Sequence, residues 1–182
     1  MKTTSTSLPG VVIIEPTVFR DSRGYFLEAY REKDYLSLLA PGLTFVQDNH
    51  SFSTRGVLRG LHMQTRKPQG KLVRVVRGEI FDVAVDVNPD SPEFGEWFGI
   101  ILSDKNQMQL YIPPGYAHGF QVLSECADVE YKCTDYYDPG GESGLLWNDT
   151  EVGIQWPNAK PLLNEKDLEL PHLADIARAH TG

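Results

Sequence analysis

Strict alternation of apolar and polar side chains is the feature that most constrains how this chain can fold. In the stretch IFDVAVDV, Phe81 shares one face with the valines at positions 83, 85 and 87, whereas Asp82 and Asp86 share the other. Side chains alternate between the two faces of an extended strand, but they repeat about every 3.6 residues in a helix. The alternation therefore predicts a β-strand.

The same signal recurs along the chain. MQLYI and VEYKC alternate in the same way, and the second places Val129, Tyr131 and Cys133 on one face. VVIIEPTVF and KLVRVV also predict strands, while DSRG, RGE and PPGY predict turns. Together these signals, from residue 10 to 135, predict an all-β sandwich or jelly-roll barrel. Short helices are predicted only near the two ends, in REKDYLSLL and in LLNEKDLELPHLADIARAH.

Length and composition are those of an ordinary globular protein. With 182 residues, of which 41% are hydrophobic and 23% charged, we expect one domain spanning residues 1–182. No apolar run approaches the roughly 20 residues of a membrane span, and MKTTSTSLPG lacks the apolar stretch of a signal peptide. Cys126 and Cys133 are too few for a disulfide framework or a cysteine-rich zinc site. We therefore expect a cytoplasmic protein with no membrane partner.

Charge is distributed unevenly. The formal net charge of −8 argues against nucleic acid as a partner. Residues 49–78, however, contain no Asp or Glu and hold seven of the 17 basic residues, namely Arg55, Arg59, Arg66, Lys67, Lys71, Arg74 and Arg77. This stretch predicts either a solvated basic face or a site for an anionic ligand.

His62 in VLRGLHMQ is either a hydrogen-bonded core histidine or a base directed at a substrate. Metal-binding jelly-roll proteins often carry a second histidine two residues later, where this chain has Gln64. No HxH or HExxH motif occurs, so we expect no metal site. In a regular strand His62 and Arg59 point to opposite faces, so both could serve one pocket only if Gly60 formed a bulge. Lys71 and Arg74 face opposite sides for the same reason.

Two other chemistry-bearing residues have equally plain structural explanations. Tyr131, in the aromatic cluster YKCTDYY, could donate a proton in a dry cavity or could simply pack with its hydroxyl bonded. Asp167 in NEKDLE has the surroundings of a solvated surface residue. Taken one at a time, none of these residues identifies a function.

Taken together, the motifs resemble one family. FRDSRGYFLEAY, FVQDNHS, GVLRGLHMQ, QGKLVRVVRGEIFDVAVDV, SPEFGEW, IPPGYAHGF, YKCTDYY, LLWNDTEVGIQWP and LLNEKD are similar, in order and spacing, to those of dTDP-4-dehydrorhamnose 3,5-epimerases. The resemblance covers about residues 10–170. It implies a cupin-like jelly roll, a homodimer, no cofactor and no metal. The implied reaction is epimerisation at C3 and C5 of dTDP-4-dehydro-6-deoxy-D-glucose.

The resemblance also implies individual roles. His62 would be the base that removes the proton next to the C4 ketone, and Asp167 would bond this histidine and set its tautomer and basicity. Tyr131 would return a proton from the opposite face, and Lys71 would stabilise the enolate. Tyr137 would stack on the thymine. The other positions that match substrate contacts are Arg23, Glu28, Gln47, Asn49, Arg59, His118, Glu142 and Lys166.

Two departures and three alternatives remain. Met63 stands where the family more often has an aromatic residue, and Cys133 replaces a small residue. The nearest alternative is an epimerase acting at C3 or C5 alone, which would share His62 and Asp167. A nucleotide-sugar-binding protein without catalysis would lack the base or the acid. A metal-dependent cupin enzyme would be revealed by metal analysis of the purified protein.

Overall fold

The chain folds into two antiparallel β-sheets packed face to face, with a separate hairpin and short helices at its ends. A computed structural model describes residues 1–39 and 42–181. The strands are β1 Lys2–Ser5, β2 Val12–Glu15, β3 Val18–Asp21, β4 Gly24–Leu27, β5 Gln47–Thr54, β6 Leu58–Gln64, β7 Lys71–Arg77, β8 Glu79–Asp86, β9 Trp97–Ser103, β10 Gln109–Ile112, β11 Tyr116–Val122, β12 Cys126–Cys133 and β13 Glu142–Gly144. The helices are α1 Glu32–Leu39, α2 Glu165–Leu168 and α3 Leu173–Thr181.

Strand order places distant parts of the sequence side by side. The six-stranded sheet runs β1-β2-β10-β7-β12-β5, and the five-stranded sheet runs β13-β6-β11-β8-β9. Within the part of the chain that the structure describes, strands β3 and β4 pair only with each other, as a hairpin. The predicted all-β, cupin-like jelly-roll architecture is confirmed, in the form of a two-sheet sandwich with short helices near both ends.

The main core lies between the two sheets and uses the alternation of the strands. Val73, Val75 and Val129 come from the six-stranded sheet, and Ile80 and Phe120 come from the five-stranded sheet. All five side chains are buried. Burying apolar surface in this way is the dominant favourable contribution to folding.

A second apolar cluster lies on the outer face of the five-stranded sheet. Val83 and Val85 of β8 pack there against Leu145, Val152 and Leu173 from the C-terminal part of the chain. The valine face of IFDVAVDV is therefore turned away from the space between the sheets, and Asp82 is turned towards it. Both faces of β8 are buried, because the C-terminal segment covers the outer one.

Helix α1 covers part of the outer face of the six-stranded sheet. Its Tyr35 is buried against Ile14, Leu72 and Tyr111. The three helices lie where the sequence predicted helical segments. Within the described residues, no helix is long and apolar enough to cross a membrane.

Candidate active site

A β-bulge in β6 turns Arg59 and His62 towards the same side. His118 of β11 pairs with His62 and Phe120 pairs with Arg59, so Gly60 and Leu61 together oppose a single residue, Gly119. The extra residue reverses the alternation of side chains along the strand. The bulge at Gly60 that the two residues would need in order to serve one pocket is thus present.

Glycine is needed at this bulge for two reasons. Gly60 has φ of +114°, a backbone conformation that residues with a Cβ rarely adopt. A Cβ at Gly60 would also lie 2.7 Å from Gly119 Cα and from the His118 carbonyl oxygen. The close approach of β6 and β11 therefore depends on the absence of a side chain at this position.

Asp167 of α2 holds the His62 ring. The Nε2 atom of His62 lies 2.7 Å from Asp167 Oδ1, and the Gly60 amide donates to Asp167 Oδ2 over 3.1 Å. Asn164 caps α2 by accepting a bond from the Asp167 amide over 2.7 Å. Asp167 is only 2% exposed, whereas the His62 side chain is 39% exposed. Two hydrogen bonds thus hold the carboxylate, and the helix cap holds its backbone, behind an accessible imidazole.

The charge of Asp167 fixes the tautomer of His62. Burial alone would raise the pKa of Asp167, but its bonds to His62 and to the Gly60 amide outweigh burial and leave this pKa below its usual value. An ionised carboxylate can only accept hydrogen bonds, so His62 Nε2 carries the hydrogen. The Nδ1 atom then keeps its lone pair, and the imidazole can act as a base.

The six-stranded sheet forms the opposite wall of the site. Tyr131 of β12 and Lys71 of β7 lie on its inner face, and Lys71 Nζ reaches across to donate to the His62 carbonyl over 3.2 Å. Burial raises the pKa of Tyr131, which keeps its hydroxyl protonated. Burial also lowers the pKa of Lys71. The inner wall therefore offers one proton donor and one nearly buried amine.

These groups line a cavity of about 230 Å³. Its lining residues are Gln47, Asn49, His62, Met63, Gln64, Gln69, Lys71, Tyr131, Tyr137 and Glu142. At its rim the Tyr137 hydroxyl donates to Glu142 over 2.9 Å, and Lys166 Nζ lies 3.9 Å from the same carboxylate. Arg59 Nε donates to Ser53 Oγ over 2.9 Å on the inner face of β5. Most of the predicted site residues are therefore brought together.

Arg23 and Glu28 are not part of this cluster. Arg23 lies at the turn of the β3–β4 hairpin and pairs with Asp21 at 2.6 Å. Glu28 pairs with Arg31 at 3.2 Å. Each lines a different surface pocket from the one containing His62. Within one chain, neither residue is placed to contact a ligand of the central cavity.

His118 is present beside His62 but lies deeper. It is 5% exposed, and its Nε2 atom lies 2.8 Å from Oδ1 of Asp82, which is fully buried. Asp82, Gln64 and Gln69 were not predicted from the sequence as site residues. Asp82 could have been noticed because it is a carboxylate in a strongly apolar strand. A charge that is buried in such a strand needs a partner.

The basic stretch does not form one patch. Arg59 and Lys71 face the space between the sheets, whereas Arg74 lies on the outer face with Glu130 at 3.9 Å. Arg77 contacts Asp128 at 4.0 Å and Arg66 contacts Asp138 at 3.2 Å. Of the basic side chains just described, only Arg59 and Lys71 are therefore placed to contribute to an anion site between the sheets. Among residues 1–39 and 42–181, no three His, Cys, Asp or Glu side chains are grouped so as to hold a metal.

Comparison with known proteins identifies the family. A family model described as dTDP-4-dehydrorhamnose 3,5-epimerase matches residues 5–175. The chain belongs to this family. It is 52% identical over 170 residues to the dTDP-4-dehydrorhamnose 3,5-epimerase of Salmonella typhimurium, covering 92% of this chain and 93% of that one. It is 56% identical over 164 residues to the Neisseria gonorrhoeae protein of the same name, covering 90% of this chain but only 50% of that one.

Solved structures agree with the assignment. The chain resembles the epimerase from Legionella pneumophila in complex with dTDP-4-keto-L-rhamnose, with a TM-score of 0.92, 47% identity and 96% of each chain covered. It also resembles a 3'-monoepimerase from Streptomyces bikiniensis in complex with dTDP-quinovose, with a TM-score of 0.90 and 32% identity, over 96% of this chain and 89% of that one. The fold is thus common to relatives with one-carbon and two-carbon activity.

Proposed function

We propose that the His62 cavity epimerises C3 and C5 of dTDP-4-dehydro-6-deoxy-D-glucose and so forms dTDP-4-dehydro-L-rhamnose. The observation that carries this proposal is the position of the base and the acid on opposite walls. His62, held by Asp167, belongs to the five-stranded sheet, and Tyr131 belongs to the six-stranded sheet. Inversion of a carbon requires proton removal on one face and return on the other. The reaction proposed here uses these two groups and no cofactor.

Proton removal needs help from the site because a carbon acid next to a ketone is much weaker than an imidazolium ion. His62 Nδ1 takes the proton, and the Asp167 carboxylate stabilises the imidazolium that forms, as in other Asp–His pairs. Negative charge develops at the same time on the C4 oxygen. A fixed cation at that oxygen is worth several kcal/mol in a site that excludes water. Lys71 is the cation in this wall of the cavity.

Proton return falls to Tyr131. Its raised pKa keeps the phenol protonated, so it can donate to the enolate carbon from the side opposite His62. Because C3 and C5 flank the same ketone, one enolate-stabilising group can serve both carbons. The same base and acid then act twice, once at each position.

The remaining predicted residues are proposed to hold the nucleotide sugar. Tyr137 is 51% exposed at the cavity rim, where a flat ring can stack on the thymine. Arg59 and Lys166 supply positive charge for the diphosphate, since guanidinium and ammonium groups bind phosphate oxygens well. Gln47, Asn49 and Glu142 offer hydrogen bonds along the wall, and His118 supports it from below.

A homodimer would account for Arg23 and Glu28. The β3–β4 hairpin that carries Arg23 exposes Phe19 by 60% and Phe26 by 65%. Exposed aromatic side chains of this size mark a surface that is usually covered. We propose that a second copy of the chain covers this hairpin and receives Arg23 and Glu28 at the mouth of its own cavity. The protein is proposed to act in the cytoplasm, with no membrane or nucleic-acid partner.

The test is solvent exchange in deuterated water. The protein is mixed with dTDP-4-dehydro-6-deoxy-D-glucose, and NMR follows C3 and C5 while a downstream reductase traps the product. Deuterium at both carbons, together with trapped product, is the expected result. His62→Ala should abolish exchange while leaving dTDP affinity within a few-fold, because His62 does chemistry and little anchoring. An equal loss of affinity would contradict its assignment as the base.

A second candidate function is epimerisation at one carbon. It is favoured by the likeness to the Streptomyces bikiniensis 3'-monoepimerase, whose fold is the same. Deuterium entering only C3 or only C5 would support this candidate and overturn the double reaction. No exchange at either carbon, from folded protein that still binds dTDP, would leave a nucleotide-sugar-binding protein without catalysis.

A further inference from the structure

We propose that Asp82 is a positioning residue of this reaction, acting through Lys71 and His118. Its buried carboxylate keeps Lys71 charged when the cavity is closed to water, and it fixes the tautomer of His118. The inference rests on the proposed role of Lys71 at the enolate oxygen. Asp82 itself does not touch the substrate, because it is fully buried and does not line the cavity.

The geometry links Asp82 to the site through two neighbours. Asp82 lies on the inward face of β8, and its Oδ1 accepts from His118 Nε2 over 2.8 Å. His118 pairs with Ala84, which is two residues from Asp82 on the same face of β8. His118 in turn pairs directly with His62 across β11 and β6. The other oxygen, Oδ2, is buried and has no hydrogen-bond partner among the described residues. A buried carboxylate with one free oxygen is costly unless a cation lies near.

Lys71 is that cation. Lys71 is 9% exposed, and its Nζ donates to the His62 carbonyl over 3.2 Å. The ammonium is close enough to Asp82 for their charges to interact. The titratable groups that face Lys71 are His62 from β6, Asp82 from β8, His118 from β11, and Tyr131 and Cys133 from β12.

Asp82 is the only carboxylate among these groups. Burial raises the pKa of both Tyr131 and Cys133, so the phenol and the thiol stay neutral. Burial lowers the pKa of His118, and this ring is neutral too. Burial also lowers the pKa of Lys71, and its neighbours Cys133 and Asp82 oppose that effect. Because the raised pKa of Cys133 keeps its thiol neutral, the opposing negative charge at neutral pH comes from Asp82. Without Asp82, the amine would lose its proton at a lower pH and could no longer neutralise an enolate.

The experiment replaces Asp82 by Asn, which has the same shape and can still accept from His118, but carries no charge. Lysine labelled with ¹³C at Cε reports the titration of Lys71 by NMR, and the Lys71→Met variant assigns its signal. In Asp82→Asn the titration midpoint of Lys71 should fall by at least about 1 pH unit, the lower end of the effect of a nearby opposite charge. Asp86→Asn is the matched control, because Asp86 is a buried carboxylate on the same face of β8 bonded to Ser91 and the Asn88 amide.

Turnover provides a second readout. Activity that needs protonated Lys71 declines as pH rises through the Lys71 pKa, so the alkaline limb of the kcat profile should move to lower pH in Asp82→Asn. At pH values on the alkaline limb of both profiles, kcat should fall about tenfold for each pH unit that the midpoint moves, with KM nearly unchanged, because the lost effect acts on the enolate. Asp86→Asn should leave the profile in place. An unchanged Lys71 titration in folded Asp82→Asn would overturn the proposal.

A pair of charge-removal variants covers the case in which Asp82→Asn does not fold. Removing Lys71 alone leaves Asp82 as an unpaired buried anion, so Lys71→Met should lower the melting temperature. The double variant Lys71→Met, Asp82→Asn should recover most of that loss, as coupled residues do in a mutant cycle. A double variant that melts no higher than Lys71→Met alone would refute the pairing. The NMR titration and this cycle need no substrate, so they can succeed or fail independently of the exchange test of the proposed function.

Discussion

Burial decides what each titratable side chain of the site can do. Tyr131 and Lys71 share one wall, yet burial affects them oppositely: it raises the pKa of the phenol and lowers that of the ammonium. Each shift disfavours the charged form. The phenol is thereby kept as a proton donor, while the amine depends on a nearby carboxylate to remain a cation. Sequence identifies these residues but not the solvent exposure that tunes them.

Replacing Tyr131 by Phe should separate proton removal from proton return. His62 and Asp167 remain in place, so the substrate can still exchange its C3 and C5 protons with deuterated water. Net epimerisation should fall by about 100-fold or more, the usual contribution of a general acid. NMR measures exchange, and a coupled reductase assay measures product. Tyr136→Phe is the control, because Tyr136 belongs to the same aromatic cluster but is 62% exposed and outside the cavity. Exchange that stops together with product formation would mean that Tyr131 is more than the acid.

At the scale of single elements, periodicity predicted which side chains share a face. Val129, Tyr131 and Cys133 were expected on one face of a strand, and they face the interior in β12. For an unbroken strand, the rule places Arg59 and His62 on opposite faces, whereas the bulge puts them on the same face. Alternation assumes an unbroken ladder, and an inserted residue changes the side of every later position. Gly60 was the only local sign of that insertion.

Gly60→Ala should therefore be costly beyond ordinary backbone strain. The new Cβ would meet backbone atoms of β11 at 2.7 Å, so the two strands must separate and His62 must shift. Gly115→Ala is the matched control. Gly115 also has a positive φ, +98°, but no atom of the described residues, its two chain neighbours aside, lies within 4 Å of an added Cβ. We expect a loss of about 1 kcal/mol in the control and about 2 kcal/mol more in Gly60→Ala. Urea unfolding measures both losses. Equal losses would show that β6 and β11 can adjust to the methyl group.

At the scale of the molecule, the sequence predicted the class of fold better than the assembly of the site. Alternating strands, glycine-containing turns and two helical ends are local signals, and all were confirmed. The bond between His62 and Asp167 joins residues 105 positions apart. No local pattern encodes such a contact, and only the resemblance to a family pointed to it. The inward direction of Asp82 was hidden because the C-terminal segment buries the other face of β8.

The position of the hairpin leads to a prediction about the whole assembly. If Arg23 reaches the cavity of a second copy, each site of the dimer takes His62 from one chain and Arg23 from the other. A mixed dimer then contains one site with both defects and one site with neither. Random mixing of two inactive variants should restore about one quarter of wild-type activity, because half of the dimers are mixed and half of their sites are intact. Refolding the two proteins together and measuring kcat per site tests this.

Arg66→Ala in place of Arg23→Ala is the control, since Arg66 is an exposed arginine outside the hairpin, paired with Asp138 of its own chain. Activity no higher than the mean of the separate variants would place Arg23 with the cavity of its own chain or outside the site.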